Sequence, residues 1–251
     1  MRIDLNADVG EASTPDGKSA EIALLSSVTS VNIACGAHAG DLDTMHELVA
    51  AAAAAGLAIG AHPGYADRDG LGRREQHLAT SEIATLVREQ VNLLTSVARA
   101  HRVELRHVKP HGALYNMAAR DMDLADAIAR AIASVDSSLK LFGLPGSKSL
   151  EAAQRRQVQA VSEAFADRAY RRDGSLVPRH EPGAVIHDEE VVVSRAVSIA
   201  RERTVTAADG TPVALDVQTI CVHGDTPGAA VLASRIRKAL SDAGIQVRAP
   251  L

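Results

Sequence analysis

The chain has 251 residues, of which 46% are hydrophobic and 23% charged, and its formal net charge is −4. Scattered basic residues argue against nucleic acid as a partner, and two cysteines without CxxC spacing exclude a disulfide framework. The longest apolar tract, residues 48–59, is too short to span a bilayer. Because the first residues also lack the apolar stretch of a signal peptide, we expect a cytoplasmic protein with no membrane segment.

Segments of strand character alternate with segments of helical character along the chain. The predicted strands are 2–9, 30–35, 57–61, 104–108, 139–143, 158–161 and 219–222. The predicted helices include 19–27, 42–55, 80–100, 121–133, 189–203 and 229–243, and a hairpin is expected over 204–215. Such alternation, with no linker, predicts one α/β domain over 1–251 with about seven parallel strands.

Polar residues recur on the first strand and just after the others. Those that we predict to form a site are Asn6, Asp8, Glu11, His38, His62, Lys109, His111, Glu163, Asp167, His223 and Asp225. In a closed barrel the carboxyl ends of all strands meet on one face, where the active site lies. The outer strands of an open sheet end too far apart to share a ligand. The pattern therefore favours a (β/α) barrel. The other histidines are interpreted as structural: His46, His77, His101, His107, His180 and His187.

The segment 108–116, Val-Lys-Pro-His-Gly-Ala-Leu-Tyr-Asn, ends a predicted strand and begins a helix. Pro110 cannot donate to a ladder, so the strand should end there. Lys109 and His111, two residues apart, then project from the same side of the strand end. The alternative is a solvated loop. If the segment instead belongs to the site, we expect Lys109 to be half-exposed. Its ammonium group would then bind a carboxylate, a phosphoryl oxygen or a developing oxyanion.

Two kinds of chemistry remain open for these residues. Asp8, His38 and His62 would offer a carboxylate and two imidazoles to Zn²⁺ or a related divalent metal. The alternative is a general acid–base site without metal, which Lys109 favours because an ammonium repels a cation. The turn at 143–149 lacks the spacing of a phosphate loop. The sequence also lacks a GxSxG motif, which argues against a covalent serine mechanism.

Six motifs together resemble the LamB/YcsF family. They span residues 4–11, 32–41, 60–64, 108–116, 163–168 and 222–228, in the family's order and over essentially the whole chain. The departures are Ala7, where cysteine is common, Ala12-Ser13, where Ser-Phe is frequent, and Ala37, where Phe is common. None of them removes a polar residue of the predicted site.

The resemblance implies an irregular (β/α) barrel similar to those of glycoside hydrolases and deacetylases. It also implies the A component of ATP-dependent 5-oxoprolinase, which acts with partner subunits B and C. The implied reaction converts a small lactam, 5-oxo-L-proline, with ATP and two waters into L-glutamate, ADP and phosphate. Since no nucleotide motif is present, we expect the partners to handle most of the ATP. The alternatives are a stand-alone metal-dependent amide hydrolase or deacetylase, and a lactam-binding protein without catalysis.

Roles for the site residues follow from this resemblance as hypotheses. Asp8 or His38 would activate water, Lys109 would bind substrate oxygens, and His111 and His223 would donate or orient protons. His62 completes the catalytic set. The predicted substrate-binding residues are Asn6, Glu11, Asp41, Asn116, Glu163, Asp167, Arg168 and Asp225. Asp41 is also the expected N-cap of the helix that follows it.

Overall fold

Ten strands and eight helices occur in the part of the chain that the computed structural model describes, residues 1–223 and 228–250 without the side chain of His223. The strands are β1 (Arg2–Val9), β2 (Ser30–Ala34), β3 (Ala58–His62), β4 (His107–Val108), β5 (Lys140–Gly143), β6 (Gln159–Phe165), β7 (Thr204–Thr206), β8 (Pro212–Ala214), β9 (Thr219–His223) and β10 (Gln246–Val247). The helices are α1 (Pro15–Leu24), α2 (Leu42–Ala54), α3 (Thr80–Ala100), α4 (Gly112–Ala118), α5 (Met122–Val135), α6 (Lys148–Arg155), α7 (Glu189–Glu202) and α8 (Ala229–Asp242).

Seven parallel strands close into a barrel. The order is β1-β2-β3-β4-β5-β6-β9, and β9 pairs with β1 to complete the ring. The short strand β10 joins the amino end of β1, and β7 and β8 form a separate antiparallel hairpin. This closure confirms the predicted α/β barrel of about seven strands.

Most predicted elements agree with the structure to within two residues at each end, and three differ by more. The first helix begins at Pro15 rather than Ser19, because the Thr14 hydroxyl caps it and proline suits the first helical position. Strand β4 has two residues instead of five. Strand β6 continues to Phe165, so Glu163 lies within a strand and not after one. The prediction that Glu163 follows a strand end is therefore wrong.

The alternation of β1 separates its residues into two surfaces. Its odd-numbered residues are apolar and belong to the buried core that packs beneath the helices. Asp4, Asn6 and Asp8 are also buried, and their side chains bond to residues of the other barrel strands. The barrel lumen therefore contains many polar side chains together with the rings of Phe142 and Phe165, which contact His107 and Lys109, whereas most of the apolar core lies outside it.

Helices surround the barrel and pack on its outer surface. The long helix α3 lies against α5, which in turn contacts α6, and the residues buried between them are mostly Ala, Val, Leu and Ile. Within the described residues, every helix is too short or too polar to cross a bilayer.

Candidate functional site

Asp4 forms the lowest layer of the lumen. The hydroxyl groups of Thr29, Ser30 and Thr219 donate to its carboxylate over 2.6, 2.7 and 2.6 Å. Burial raises the pKa of Asp4 to about 6, although these hydrogen bonds act to lower it. This layer is far from the open end of the barrel and supports the residues above it.

An amide network occupies the middle of the lumen. The Asn32 Nδ2 atom donates to Asn6 Oδ1 and to Asp8 Oδ1, each over 2.7 Å. The Asn32 Oδ1 atom lies 2.7 Å from His107 Nε2, and an amide oxygen only accepts, so this nitrogen carries a proton. Burial lowers the pKa of His107 to about 3, which keeps its ring neutral. A Cβ atom on Gly60 would lie 2.1 Å from that nitrogen, so glycine makes room for the ring.

Lys109 lies at the centre of the next layer. Its Nζ atom is 2.9 Å from Asp8 Oδ1, 2.9 Å from Glu163 Oε1 and 3.0 Å from the Cys221 sulfur. Burial alone would lower the pKa of Lys109, but the negative groups Asp8 and Glu163 hold it well above its usual value. The residue is 2% exposed, so the expectation of a half-exposed lysine is wrong. Its charge is engaged by two carboxylates within the lumen.

Three histidines surround the carboxylate of Glu11 at the carboxyl end of the barrel. Glu11 Oε1 lies 2.9 Å from His111 Nδ1 and 3.6 Å from the Nε2 atoms of both His38 and His62. We call these four residues the histidine cluster. Burial would raise the pKa of Glu11, but His111 and His38 hold it well below its usual range. Burial also lowers the pKa of His38 to about 4.

Backbone carbonyls orient two rings of the histidine cluster. The His62 Nδ1 atom lies 2.7 Å from the carbonyl oxygen of Lys109, and the His111 Nε2 atom lies 2.7 Å from that of Leu71. Their other nitrogens face each other at 3.0 Å. The His38 ring stacks on His111 with centroids 3.9 Å apart, and neither of its nitrogens has a hydrogen-bond partner among the described residues.

Glycines allow the loops to close on His38. Gly40 has a φ of 75°, and a Cβ there would lie 3.1 Å from the Gly10 carbonyl oxygen. The loop after β3 covers the ring: a Cβ on Gly64 would lie 2.6 Å from His38 Nδ1, and one on Gly72 would lie 2.9 Å from His38 Cβ. The backbone therefore approaches this histidine closely from two sides.

The structure brings eight of the predicted site residues into one continuous column. The lumen holds Asn6, Asp8, Lys109 and Glu163, and the histidine cluster above them holds Glu11, His38, His62 and His111. The two groups meet where His62 Nε2 lies 3.5 Å from Asp8 Oδ2. Strand β9 pairs the backbone of His223 with Asp8. The His223 side chain and Asp225 lie outside the described residues.

Four other predicted residues lie apart from this column. Asp41 is exposed and caps α2, accepting from the Thr44 N–H over 2.7 Å. Asn116 is exposed and donates to the Gly112 carbonyl within its own helix.

Arg168 and Asp167 belong to the loop that follows β6. The Arg168 guanidinium donates to the carbonyls of Val177 and Ala184, which fastens this loop. Asp167 lines a neighbouring, mostly apolar cavity of about 230 Å³ between the barrel and helices α7 and α8. These positions indicate that Arg168 and Asp167 have structural roles next to the column.

Sequence reasoning missed several members of the column. His107, interpreted as structural, and Asn32 form the network that holds Asp8. Cys221 contacts Lys109, and Tyr115 is buried beside Glu163, where burial first and the carboxylate next raise its phenol pKa well above the usual value. Asn32 lies on a predicted strand, and its polarity in an otherwise apolar run was the available signal.

A compact group of possible metal ligands shares only His38 with the predicted set of Asp8, His38 and His62. Donor atoms of Glu11, His38 and His111 all lie within 4.8 Å of one another. Asp8 is instead bonded to Lys109 and Asn32. The donor set of one carboxylate and imidazoles fits a borderline divalent metal such as Zn²⁺.

Fold and site together define a parallel (β/α)-barrel protein with a polar site at the carboxyl end of its strands. The fold is similar to that of the polysaccharide deacetylase Bc1974 from Bacillus cereus, with a TM-score of 0.54 at 10% identity, covering 100% of this chain and 93% of that one. Residues 3–251 match the model of the LamB/YcsF family, and the chain belongs to this family. It is 43% identical to the lactam utilization protein from Thermus thermophilus, with a TM-score of 0.90 and full coverage of both chains.

Proposed function

We propose that this chain is the A component of an ATP-dependent 5-oxoprolinase, a cytoplasmic enzyme that opens the lactam 5-oxo-L-proline to L-glutamate. Membership of the LamB/YcsF family supports this assignment, as does the similarity to a protein named for lactam utilization. The observation that carries it is the buried column in which Asp8, Lys109 and Glu163 lie directly beneath the histidine cluster. Such a column offers acids, bases and a fixed positive charge to one enclosed reacting group.

The chemical problem is the stability of a five-membered amide. Phosphorylation of the amide oxygen by ATP would activate the carbonyl carbon towards water. Addition of one water to that carbon and cleavage of the ring C–N bond, with a proton passing to the departing nitrogen, would give an acyl phosphate. A second water would hydrolyse the acyl phosphate, so the products are L-glutamate, ADP and phosphate. The protein must therefore position the lactam, orient the attacking water and accept a proton from it.

Asp8 is the best-placed base for that water. Asn32 and Lys109 each bond to its Oδ1 atom, over 2.7 and 2.9 Å, and so orient the carboxylate. Its Oδ2 atom lies 3.5 Å from His62 Nε2, on the side of the histidine cluster, and also accepts from Lys109 Nζ over 3.2 Å. Lys109 then acts by pairing with the Asp8 carboxylate and by placing positive charge near a developing oxyanion, and not as the first contact of a substrate anion.

Reconstitution with the partner subunits B and C tests the proposal. We expect 5-oxoproline hydrolysis coupled to ATP hydrolysis only when all three subunits are present, because this sequence has no phosphate-loop spacing. Asp8→Asn should abolish turnover, whereas Asp43→Asn, an exposed change on α2, should leave it intact. Robust ATP-dependent turnover by the isolated chain would contradict the proposal that the partner subunits are needed to handle ATP. Full turnover by Asp8→Asn would favour a lactam-binding protein without catalysis.

A second candidate function is metal-dependent hydrolysis of an amide by this chain alone. The compact donor group of Glu11, His38 and His111 favours it. A metal held there would polarise an amide carbonyl and lower the pKa of a bound water. Turnover of simple lactams and N-acetylated sugars by the isolated chain, lost on chelation and restored by metal, would select this function.

A further inference from the structure

The carbonyls that orient His62 and His111 determine where the protons of these rings lie. A carbonyl oxygen only accepts, so His62 Nδ1 and His111 Nε2 must each carry the proton of its hydrogen bond, 2.7 Å long in both cases. In a neutral imidazole the other nitrogen is then a lone-pair acceptor. These two acceptors, His62 Nε2 and His111 Nδ1, face each other across 3.0 Å.

Two facing lone pairs repel each other, and negatively charged carboxylates lie close to both nitrogens. Glu11 Oε1 lies 2.9 Å from His111 Nδ1 and 3.6 Å from His62 Nε2. Below them the formal charges of Asp8, Glu163 and Lys109 sum to −1, so the lysine is more than neutralised by its partners. The expectation that the ammonium would repel a cation therefore loses its basis, and a positive charge between the two rings is favoured.

A proton placed between these rings would give hydrogen-bond partners to only some of the buried nitrogens. A proton on His111 Nδ1 would join it to Glu11, but it would leave both ring nitrogens of His38 without a described partner in a side chain that is 1% exposed. Buried imidazoles without hydrogen bonds are costly. The His38 Nε2 atom lies 3.6 Å from Glu11 Oε1, which is too far for a hydrogen bond. The distance is short enough for both atoms to bind one cation between them.

We propose that the histidine cluster is a binding site for one divalent transition-metal cation of the Zn²⁺ type, with the following ligands: Glu11 Oε1, His38 Nε2, His62 Nε2 and His111 Nδ1. Imidazole ligands of metals regularly donate their other N–H to a carbonyl or carboxylate, and the carbonyls of Lys109 and Leu71 take that part here. Nitrogens bound about 2.0–2.1 Å from one tetrahedral Zn²⁺ lie about 3.3 Å apart, close to the 3.0 Å between His62 Nε2 and His111 Nδ1.

This inference deepens the proposed function, since it concerns the same site, but it does not depend on ATP coupling. Its test uses the isolated chain, stripped of metal with a chelator and titrated with Zn²⁺ by calorimetry. Co²⁺ is the second probe, because its visible absorption reports ligand number and type. We expect one equivalent of each metal to bind, and bound Zn²⁺ to raise the melting temperature.

Ligand variants identify the site within the same experiment. His38→Ala and Glu11→Gln should each lose more affinity than the roughly 10–100-fold typical of an outer-shell partner. The matched control is His46→Ala, because half-exposed His46 on α2 and His101, just after α3, form a second histidine pair with the same 3.0 Å spacing. That variant should bind like the parent. Circular dichroism shows whether each variant is folded, and Glu11→Gln, which preserves shape, decides the case if His38→Ala does not fold.

The outcomes separate this inference from the proposed function. Parental Zn²⁺ affinity in both ligand variants, or no binding by the folded parent, would overturn the metal site. If such a chain still supports ATP-dependent lactam hydrolysis with subunits B and C, the proposed function stands without the metal. Tight, cluster-dependent binding without any reconstituted turnover would support the metal site and reject the 5-oxoprolinase assignment.

Discussion

Removing the charge of Lys109 should destabilise the fold strongly. Lys109→Met preserves the length of the side chain but leaves Asp8 and Glu163 buried without the cation that lies 2.9 Å from each of them. Breaking a buried ion pair by deleting one partner costs about 3–5 kcal/mol. In a chain of this size that loss corresponds to a fall in melting temperature of roughly 6–20 °C.

The measurement is the free energy of unfolding by chemical denaturation, supported by thermal melting of the same preparations. Lys148→Met is the matched control, because Lys148 is exposed and pairs with Glu151 on the surface of α6. Such a surface change should stay within about 0.5 kcal/mol of the parent. A Lys109→Met variant as stable as the control would refute the buried-charge interpretation.

A repaired variant distinguishes lost charge from lost packing. In the triple variant Lys109→Met, Asp8→Asn and Glu163→Gln, the lumen contains no unpaired carboxylate at this layer, and the shapes of both acids are preserved. Neutral replacements of a whole buried ionic group are often well tolerated. We expect the triple variant to recover most of the lost stability while it remains inactive in the reconstituted enzyme.

Three further predictions concern the layers around Lys109. The raised pKa of Asp4, about 6 against 3.8 for the unfolded chain, means that the unfolded state loses this proton first. The parent should therefore lose about 3 kcal/mol of stability from this group as pH rises from 4 to 7, and Asp4→Asn should remove that dependence. His107→Phe deletes the donor to Asn32, which should cost about 1–3 kcal/mol and lower turnover. Gly64→Ala should displace His38 and reduce Zn²⁺ affinity more than stability.

The first two of these outcomes have direct controls. Asp16→Asn changes an exposed acid in the first turn of α1, and its pH profile should parallel that of the parent. His77→Phe replaces an exposed histidine and should leave the unfolding free energy unchanged. A parallel pH profile for Asp4→Asn, parental stability in His107→Phe, or parental metal affinity in Gly64→Ala would contradict the corresponding argument.

Local sequence pattern was enough to predict much of the architecture. The alternation in residues 2–9 placed Asn6 and Asp8 on one face of β1, because successive side chains of a strand point to opposite sides. The alternation of strands and helices predicted a parallel α/β barrel, and the structure confirms it. Glycines at residues 36 and 40 flank His38, and both adopt the positive φ that glycine allows without strain.

Tertiary structure alone decided what those faces meet. Lys109 and Asp8 are 101 residues apart, and His107 and Asn32 are 75 apart, so no local spacing relates their side chains. Closure of β9 onto β1 turned one polar face of each strand into a shared interior. In that interior the lysine is buried between carboxylates instead of being exposed at the mouth. Sequence periodicity determines the direction of a side chain relative to its own strand, whereas its partners, burial and protonation depend on the strands that the closed barrel brings opposite it.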